Sequence, residues 1–186
     1  MANGFQTSAP ASRHGTSSFA MSAGWVVTNK FTCPDTGTQE ITEIGSWVSA
    51  DSATTAAFRL AIFTDDAPNV NPDTMVANSE SAELTHNTTD FTRKSHTYGT
   101  KPQLTGGTDY WLAIFAGDAN GNVSRVDDAT VRVLWAVTYP TWPTAAQWDS
   151  GLQGGGDYAN YAVYQAAAGG SAIPVFMHHY LHNMGR

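Results

Sequence analysis

Two short runs, Phe58-Arg-Leu-Ala-Ile-Phe63 and Tyr110-Trp-Leu-Ala-Ile-Phe115, share the tetrapeptide Leu-Ala-Ile-Phe. Each runs into an acidic, turn-forming loop, Thr64-Asp-Asp-Ala-Pro-Asn69 and Ala116-Gly-Asp-Ala-Asn-Gly121. Alternate side chains of a strand point to opposite faces. Tyr110, Leu112 and Ile114 therefore share one face and Trp111, Ala113 and Phe115 the other. In the earlier copy Phe58, Leu60 and Ile62 oppose Arg59, Ala61 and Phe63. A strand that is apolar, or nearly so, on both faces needs a layer on each side. Both runs are read as central strands of a β-sandwich, with facing sheets as one arrangement open to them. Nothing else between the two copies matches, so this is an echo and not a repeat.

The rest of the chain fits that frame. Strand patterns recur at roughly ten-residue spacing with turn residues between them, the signature of a sandwich or barrel. They fall at 25–33, 39–49, 58–63, 74–77, 83–86, 95–98, 108–115, 130–137 and 158–164, with Gly45 read as a bulge or a close approach. Leu104-Thr-Gly-Gly107 reads as a turn, and 151–156 is Gly-rich. Three parts follow: an N-terminal arm over 1–22, a sandwich over 23–165 and a C-terminal tail over 166–186. The arm is small and polar, with Phe5 and Phe19 as its aromatic anchors, and is expected to extend onto a neighbouring subunit. The tail is apolar and aromatic, and Phe176, Met177, Tyr180 and Leu181 are its expected interface residues.

Composition narrows the function. With 186 residues the chain buries a full core without disulfides or metal. The net charge of −7, with only nine Lys and Arg, argues against nucleic acid, whose phosphates need cations. The single cysteine, Cys33, excludes an intrachain disulfide and a Cys-rich zinc site. No apolar run approaches the ~20 residues of a membrane helix, and no signal peptide is expected, since the first thirty residues lack a basic start followed by an apolar run. Only 13% of residues are charged, and Thr, Ser, Ala, Gly and Asn fill the surface. That composition suits proteins built for the outside of a cell or a particle.

Within 29–115 the chain resembles a loose family of jelly-roll β-sandwiches found in phage virion proteins and in domains appended to secreted carbohydrate-active proteins. The residues carrying the resemblance are Ile41-Thr-Glu-Ile-Gly45, Phe58-Arg-Leu-Ala-Ile-Phe-Thr-Asp-Asp66 and Leu104-Thr-Gly-Gly-Thr-Asp-Tyr-Trp-Leu-Ala113. The family carries no catalytic motif to transfer, and its fold hosts many functions.

Motifs for chemistry are weak. Asp118-Ala-Asn-Gly-Asn122 has the start of a calcium loop, but Val123 and Ala129 stand where an EF-hand needs Gly and an acid. His178, His179 and His182 put two imidazoles at helical i, i+4 spacing with no glutamate between, so no metalloprotease site is expected. Asp65-Asp66 and Asp127-Asp128 are the carboxylates a glycosidase reading would use. More informative are Tyr139, Trp142 and Trp148, which lie on a Pro-containing loop. Rings so placed stack on sugars, or else cap the sandwich or meet a neighbour.

The sequence therefore predicts an all-β, jelly-roll-like antiparallel β-sandwich with an extended N-terminal arm and a short C-terminal tail. The function expected is a non-enzymatic structural protein of a bacteriophage particle, a capsid decoration or head/tail accessory subunit. It would be made in the host cytoplasm and incorporated into the virion beside neighbouring subunits and copies of itself. The alternative is an extracellular carbohydrate-binding module using Tyr139, Trp142 and Trp148. No catalytic residue, metal, cofactor or membrane contact is expected.

Overall fold

The computed structural model describes residues 4–13, 15–51, 54–67, 71–148 and 152–168, and for 126–135 and 152–156 the backbone alone. In chain order the strands are β1 (Gly4–Gln6), β2 (Ser17–Met21), β3 (Trp25–Thr32), β4 (Thr38–Ala50), β5 (Ala56–Asp65) and β6 (Pro72–Met75). They continue as β7 (Leu84–His86), β8 (Thr92–Thr97), β9 (Gln103–Thr105), β10 (Asp109–Ala116), β11 (Gly121–Ala136), β12 (Leu152–Tyr158) and β13 (Asn160–Ala166). A single turn of helix, α1 (Ala145–Trp148), lies between β11 and β12.

The two Leu-Ala-Ile-Phe runs are neighbours in one sheet, which corrects the facing-sheet arrangement. β5 and β10 pair antiparallel, with Leu60 opposite Ile114, Ala61 opposite Ala113 and Ile62 opposite Leu112. The tripeptide thus pairs with its own copy about the two alanines, matching large with large and small with small. β3 flanks β10 on the other side, and the far end of β11 flanks β3. β6 and β7 lie along the outer edge of β5.

The second layer is built on β4, which carries β13 and then β1 on one side and β8 and β9 on the other. β11 joins the layers: Gly121–Val123 pair with β4, whereas Arg132–Ala136 pair with β3. Its register against β12 shifts between Val126 and Val131, where such a strand bends. The inner core lies between the layers. Val27, Leu60, Ile62, Leu112 and Ile114 meet Ile41, Ile44, Val48 and Ala162, all buried. The all-β sandwich expected from the sequence is the architecture found.

Ile41 and Ile44 both face this core although they are three positions apart. The register against β13 slips between Val163–Glu43 and Tyr164–Ile41, so Thr42 is an extra residue that resets the alternation. The bulge is therefore at Thr42, and Gly45 is the close approach. A Cβ on Gly45 would lie 2.4 Å from Cζ and Oη of Tyr161, its buried cross-strand partner. That ring is pinned by its hydroxyl, which donates to Glu43 Oε1 at 2.6 Å. Gly45→Ala is expected to lower stability by about 1–3 kcal/mol, the usual cost of overpacking. A denaturant melt within about 0.5 kcal/mol of wild type, as for a surface change, would show that the ring swings clear.

The N-terminal segment does not extend away. β1 pairs parallel with β13, and β2 pairs antiparallel with the start of β11. Phe5 packs edge-on to Tyr110 with centroids 6.4 Å apart, and Phe19 lies between Trp25 at 6.0 Å and Tyr158 at 5.4 Å. Met21 is fully buried in the inner core. Between the strands, Arg93 Nη1 donates to Pro10 O at 3.2 Å, and the Arg13 guanidinium sits 4.4 Å from the Phe91 ring. A polar segment with few anchors needs no partner when strand pairing satisfies its backbone and each anchor reaches its own core. Phe5 and Phe19, expected at an interface, are thus packing residues here. Phe176, Met177, Tyr180 and Leu181, with the three tail histidines, lie outside the described residues.

Two stretches not read as strands hold them. β9 takes Leu104 and Thr105, leaving Gly106 and Gly107 as the turn, and β12 runs through three consecutive glycines, Gly154 opposite Arg132 and Gly155 opposite Val131. Glycine lowers local strand preference, but here the neighbouring strand supplies the ladder.

Candidate functional site

The outer face of the β3–β10–β5 sheet is a relief of large and small side chains. Register places Lys30, Trp111 and Phe63 in one row, Thr28, Ala113 and Ala61 in the next, and Val26, Phe115 and Arg59 in the third. The small middle row makes a trough between aromatic ridges. The loop 137–148 fills it. Trp142 lies 5.5 Å from Phe63 and 5.0 Å from Phe115 (ring centroids), so it reaches both ridges. Trp148 packs edge-on to Phe63 at 5.5 Å and Tyr139 edge-on to Phe115 at 4.9 Å. The loop therefore covers a sheet face, which explains why both faces of the central strands are apolar.

Segment 76–83 fastens the loop. Along β5 it takes the place of a strand. Val76 N donates to Ile62 O and Ser81 N to Leu60 O, while the Ser79 and Ser81 hydroxyls accept from Ile62 N and Leu60 N. Alternation then turns Glu80 outward, where Oε1 accepts from Arg59 Nη1 at 2.7 Å and from Trp142 Nε1 at 3.0 Å. The Tyr139 hydroxyl donates to Glu83 Oε2 at 2.8 Å. The hydrogen bond to Glu80 is the largest influence keeping the Arg59 guanidinium charged, above its usual range.

Between this loop and the end of β11 lies a hollow of about 410 Å³ lined by Ala136, Val137, Thr138, Thr141, Trp142 and Gln147. The three aromatics expected to bind a ligand have different fates. Trp148 is fully buried and presents no ring to solvent. Tyr139 is half-buried with its hydroxyl committed to Glu83. Trp142 alone is both partly exposed and part of the hollow's wall. Sequence reasoning missed Thr138, Thr141 and Gln147. Their one signal was position, as polar residues alternating with the loop aromatics. The Gln147 amide oxygen is itself held by Thr144, accepting from its backbone N at 2.9 Å and its hydroxyl at 3.1 Å.

Burial, with the neighbouring Glu83 carboxylate adding to it, pushes the Tyr139 phenol up to about 12, against the opposing pull of Arg59. An unfolded tyrosine loses its proton near pH 10. Tyr139 therefore contributes stability that is complete below about pH 10 and is lost as pH rises towards 12. A tyrosinate absorbance titration, taken as wild type minus Tyr139→Phe, should show a midpoint near 12 that falls in Glu83→Gln. A midpoint near 10 in wild type would mean the loop does not hold the ring.

Of the acidic candidates, Asp65 forms an ion pair, and the side chains of Asp127 and Asp128 lie outside the described residues. Lys30 Nζ lies 2.7 Å from Asp65 Oδ2 and 3.1 Å from Asp109 Oδ2, and Asp65 Oδ1 accepts from Trp111 Nε1 at 2.7 Å. Sharing one ammonium brings the two carboxylates close together, as in a glycosidase pair. A glycosidase acid, however, must hold its proton near neutral pH. The Thr32 hydroxyl, at 2.6 Å, and Lys30 instead lower the Asp109 carboxyl below its ordinary value. The arrangement ties β3, β5 and β10 together. In the loop considered for calcium, Asp118 accepts from Ala57 N and Asn120 N, both at 2.9 Å, so both its oxygens serve the turn. Among the described residues, no three His, Cys, Asp or Glu side chains converge as a metal site would require.

No family model matches the chain, and neither a curated protein nor a solved structure matches it.

Proposed function

We propose that this protein is a non-enzymatic accessory subunit of a bacteriophage particle that binds a neutral glycan at the Trp142 hollow. The observation that carries the ligand reading is the hollow itself, with an indole in its wall beside two threonines and a glutamine. Its volume is within the 300–1,000 Å³ typical of small-ligand sites. An indole offers apolar area to the C–H face of a sugar ring, while hydroxyl and amide groups match its hydroxyls. The particle setting rests on the neutral polar composition and on the resemblance within 29–115. The folded-back N-terminal strands remove the arm as the docking element. The apolar stretch around Phe176, Met177, Tyr180 and Leu181 takes that role in this reading, towards a virion neighbour or another copy of the chain.

Affinity electrophoresis against a panel of neutral polysaccharides tests the ligand reading. At least one polymer should retard the wild-type protein, and Trp142→Ala should weaken that binding about tenfold, the upper end of the roughly 0.5–1.5 kcal/mol an aromatic ring contact adds beyond its buried area. Trp142→Phe should retain part of it. Retardation unchanged in Trp142→Ala, or none across the panel, would reject the glycan site.

A further inference from the structure

A second, wholly polar hollow lies where β5 begins beside β7. Ala56 and Ala57 pair with His86 and Thr85, and β8 passes alongside with Lys94. Thr55, Thr85, His86, Asn87 and Lys94 line an open hollow of about 190 Å³, room for about six waters at roughly 30 Å³ each. The groups here are an ammonium, two hydroxyls, an amide and an imidazole, and no carboxylate lines the space.

Lys94 is the unusual member. Among the described residues the other two lysines are held by acids, Lys30 by Asp65 and Asp109, and Lys101 by Glu40 at 2.8 Å. Lys94 has neither an ion pair nor a side-chain hydrogen bond among the described residues, in a chain where acids outnumber bases sixteen to nine. His86 is nine-tenths buried and fixed. Its Nε2 lies 3.0 Å from Asp90 O and 3.1 Å from Thr88 Oγ1. A carbonyl only accepts, so Nε2 carries a proton and the ring is locked as one wall of the hollow.

We propose that this hollow binds a small oxyanion, with Lys94 supplying the charge and Thr55, Thr85 and Asn87 the neutral donors. Charge-assisted hydrogen bonds are the stronger kind, and a cation lacking an internal acid loses nothing by taking an external one. A free phosphate and the carboxylate of an acidic sugar share this chemistry. The site is independent of the Trp142 hollow, so either assignment stands if the other fails.

The test is a titration of the isotopically labelled full chain, following the backbone amides of residues 85–87 and 94. Sodium phosphate, sodium glucuronate and glucose are the probes. Saturable shifts are expected with at least one anion and not with glucose. Lys94→Gln should weaken binding about tenfold or more, while Lys94→Arg and Trp142→Ala retain it. Tighter binding of glucuronate assigns the site to an acidic sugar, and equal or tighter binding of phosphate assigns it to the free ion. If Lys94→Gln folds poorly, Thr85→Val, an exposed position, gives the same comparison through loss of a donor. The proposal is overturned if neither anion gives saturable shifts, or if these variants titrate like wild type.

Discussion

A chain lacking residues 1–21 is expected to lose cooperative folding, although this segment is the one whose composition marks it as dispensable. The deletion removes Met21 from the inner core, and Phe5 and Phe19 from contact with Tyr110, Trp25 and Tyr158. Burial of a large apolar side chain is worth roughly 1.5–3 kcal/mol. Met21 has that burial in full and Phe5 and Phe19 in part, together a large share of the stability of an ordinary domain, about 5–15 kcal/mol. The same cut bares the edge of β13 and the start of β11, leaving unpaired backbone groups that invite aggregation. Circular dichroism through a denaturant series is the measurement. The truncated protein should show no sharp transition, whereas a chain ending at residue 168 should melt near wild type and fail to enter particles. A wild-type midpoint after the N-terminal cut would restore the dispensable arm. Particles decorated normally by the chain ending at 168 would remove the tail as docking element.

Trp148→Ala is expected to cost about 3–5 kcal/mol, the range for emptying a buried aromatic site. Its ring is fully enclosed on the outer face of the sheet, against Phe63 and near Trp111 and Val26. It anchors the end of the 137–148 loop, so its loss should also free Trp142 and abolish the hollow. Two readouts should therefore fall together, the melting midpoint and glycan retardation. Trp142→Ala separates them, since a half-exposed ring contributes less to the core and more to the hollow. Trp148→Ala with unchanged stability would mean the loop is held by Glu80 and Glu83 alone.

How legible was all this in the sequence? The alternation in Tyr110–Phe115 and Phe58–Phe63 sorted the side chains correctly. Leu60, Ile62, Leu112 and Ile114 face the inner core, while Ala61, Phe63, Trp111, Ala113 and Phe115 form the outer cluster. Two apolar faces implied two covering layers, and both exist. The bulge at Thr42 was not legible, because Ile41-Thr-Glu-Ile44 reads as broken alternation until the partner strand shows where the extra residue sits. The close approach at Gly45 was, because a glycine inside a strand pattern leaves space that something must occupy. Of the site, the aromatic loop was visible as unusual, but which ring stays accessible was not. Tyr139, Trp142 and Trp148 look equivalent in the sequence and differ only in what they meet.

The sequence by itself determined the central strands and which way their side chains point, because a two-residue period follows from local backbone geometry, whereas β1, β2, β9 and β12 carry no such period and were not read from it. It also determined that Phe58–Phe63 and Tyr110–Phe115 are central, because no solvated strand carries large apolar groups on both faces. Only the tertiary structure decided that these two pair with each other, that the loop 137–148 is the outer cover, and that the first strands close onto β13 and β11. Those are choices among partners distant in sequence. Periodicity fixes the face a side chain occupies, but the neighbour across the ladder is set by how large and small side chains fit once the whole chain is packed.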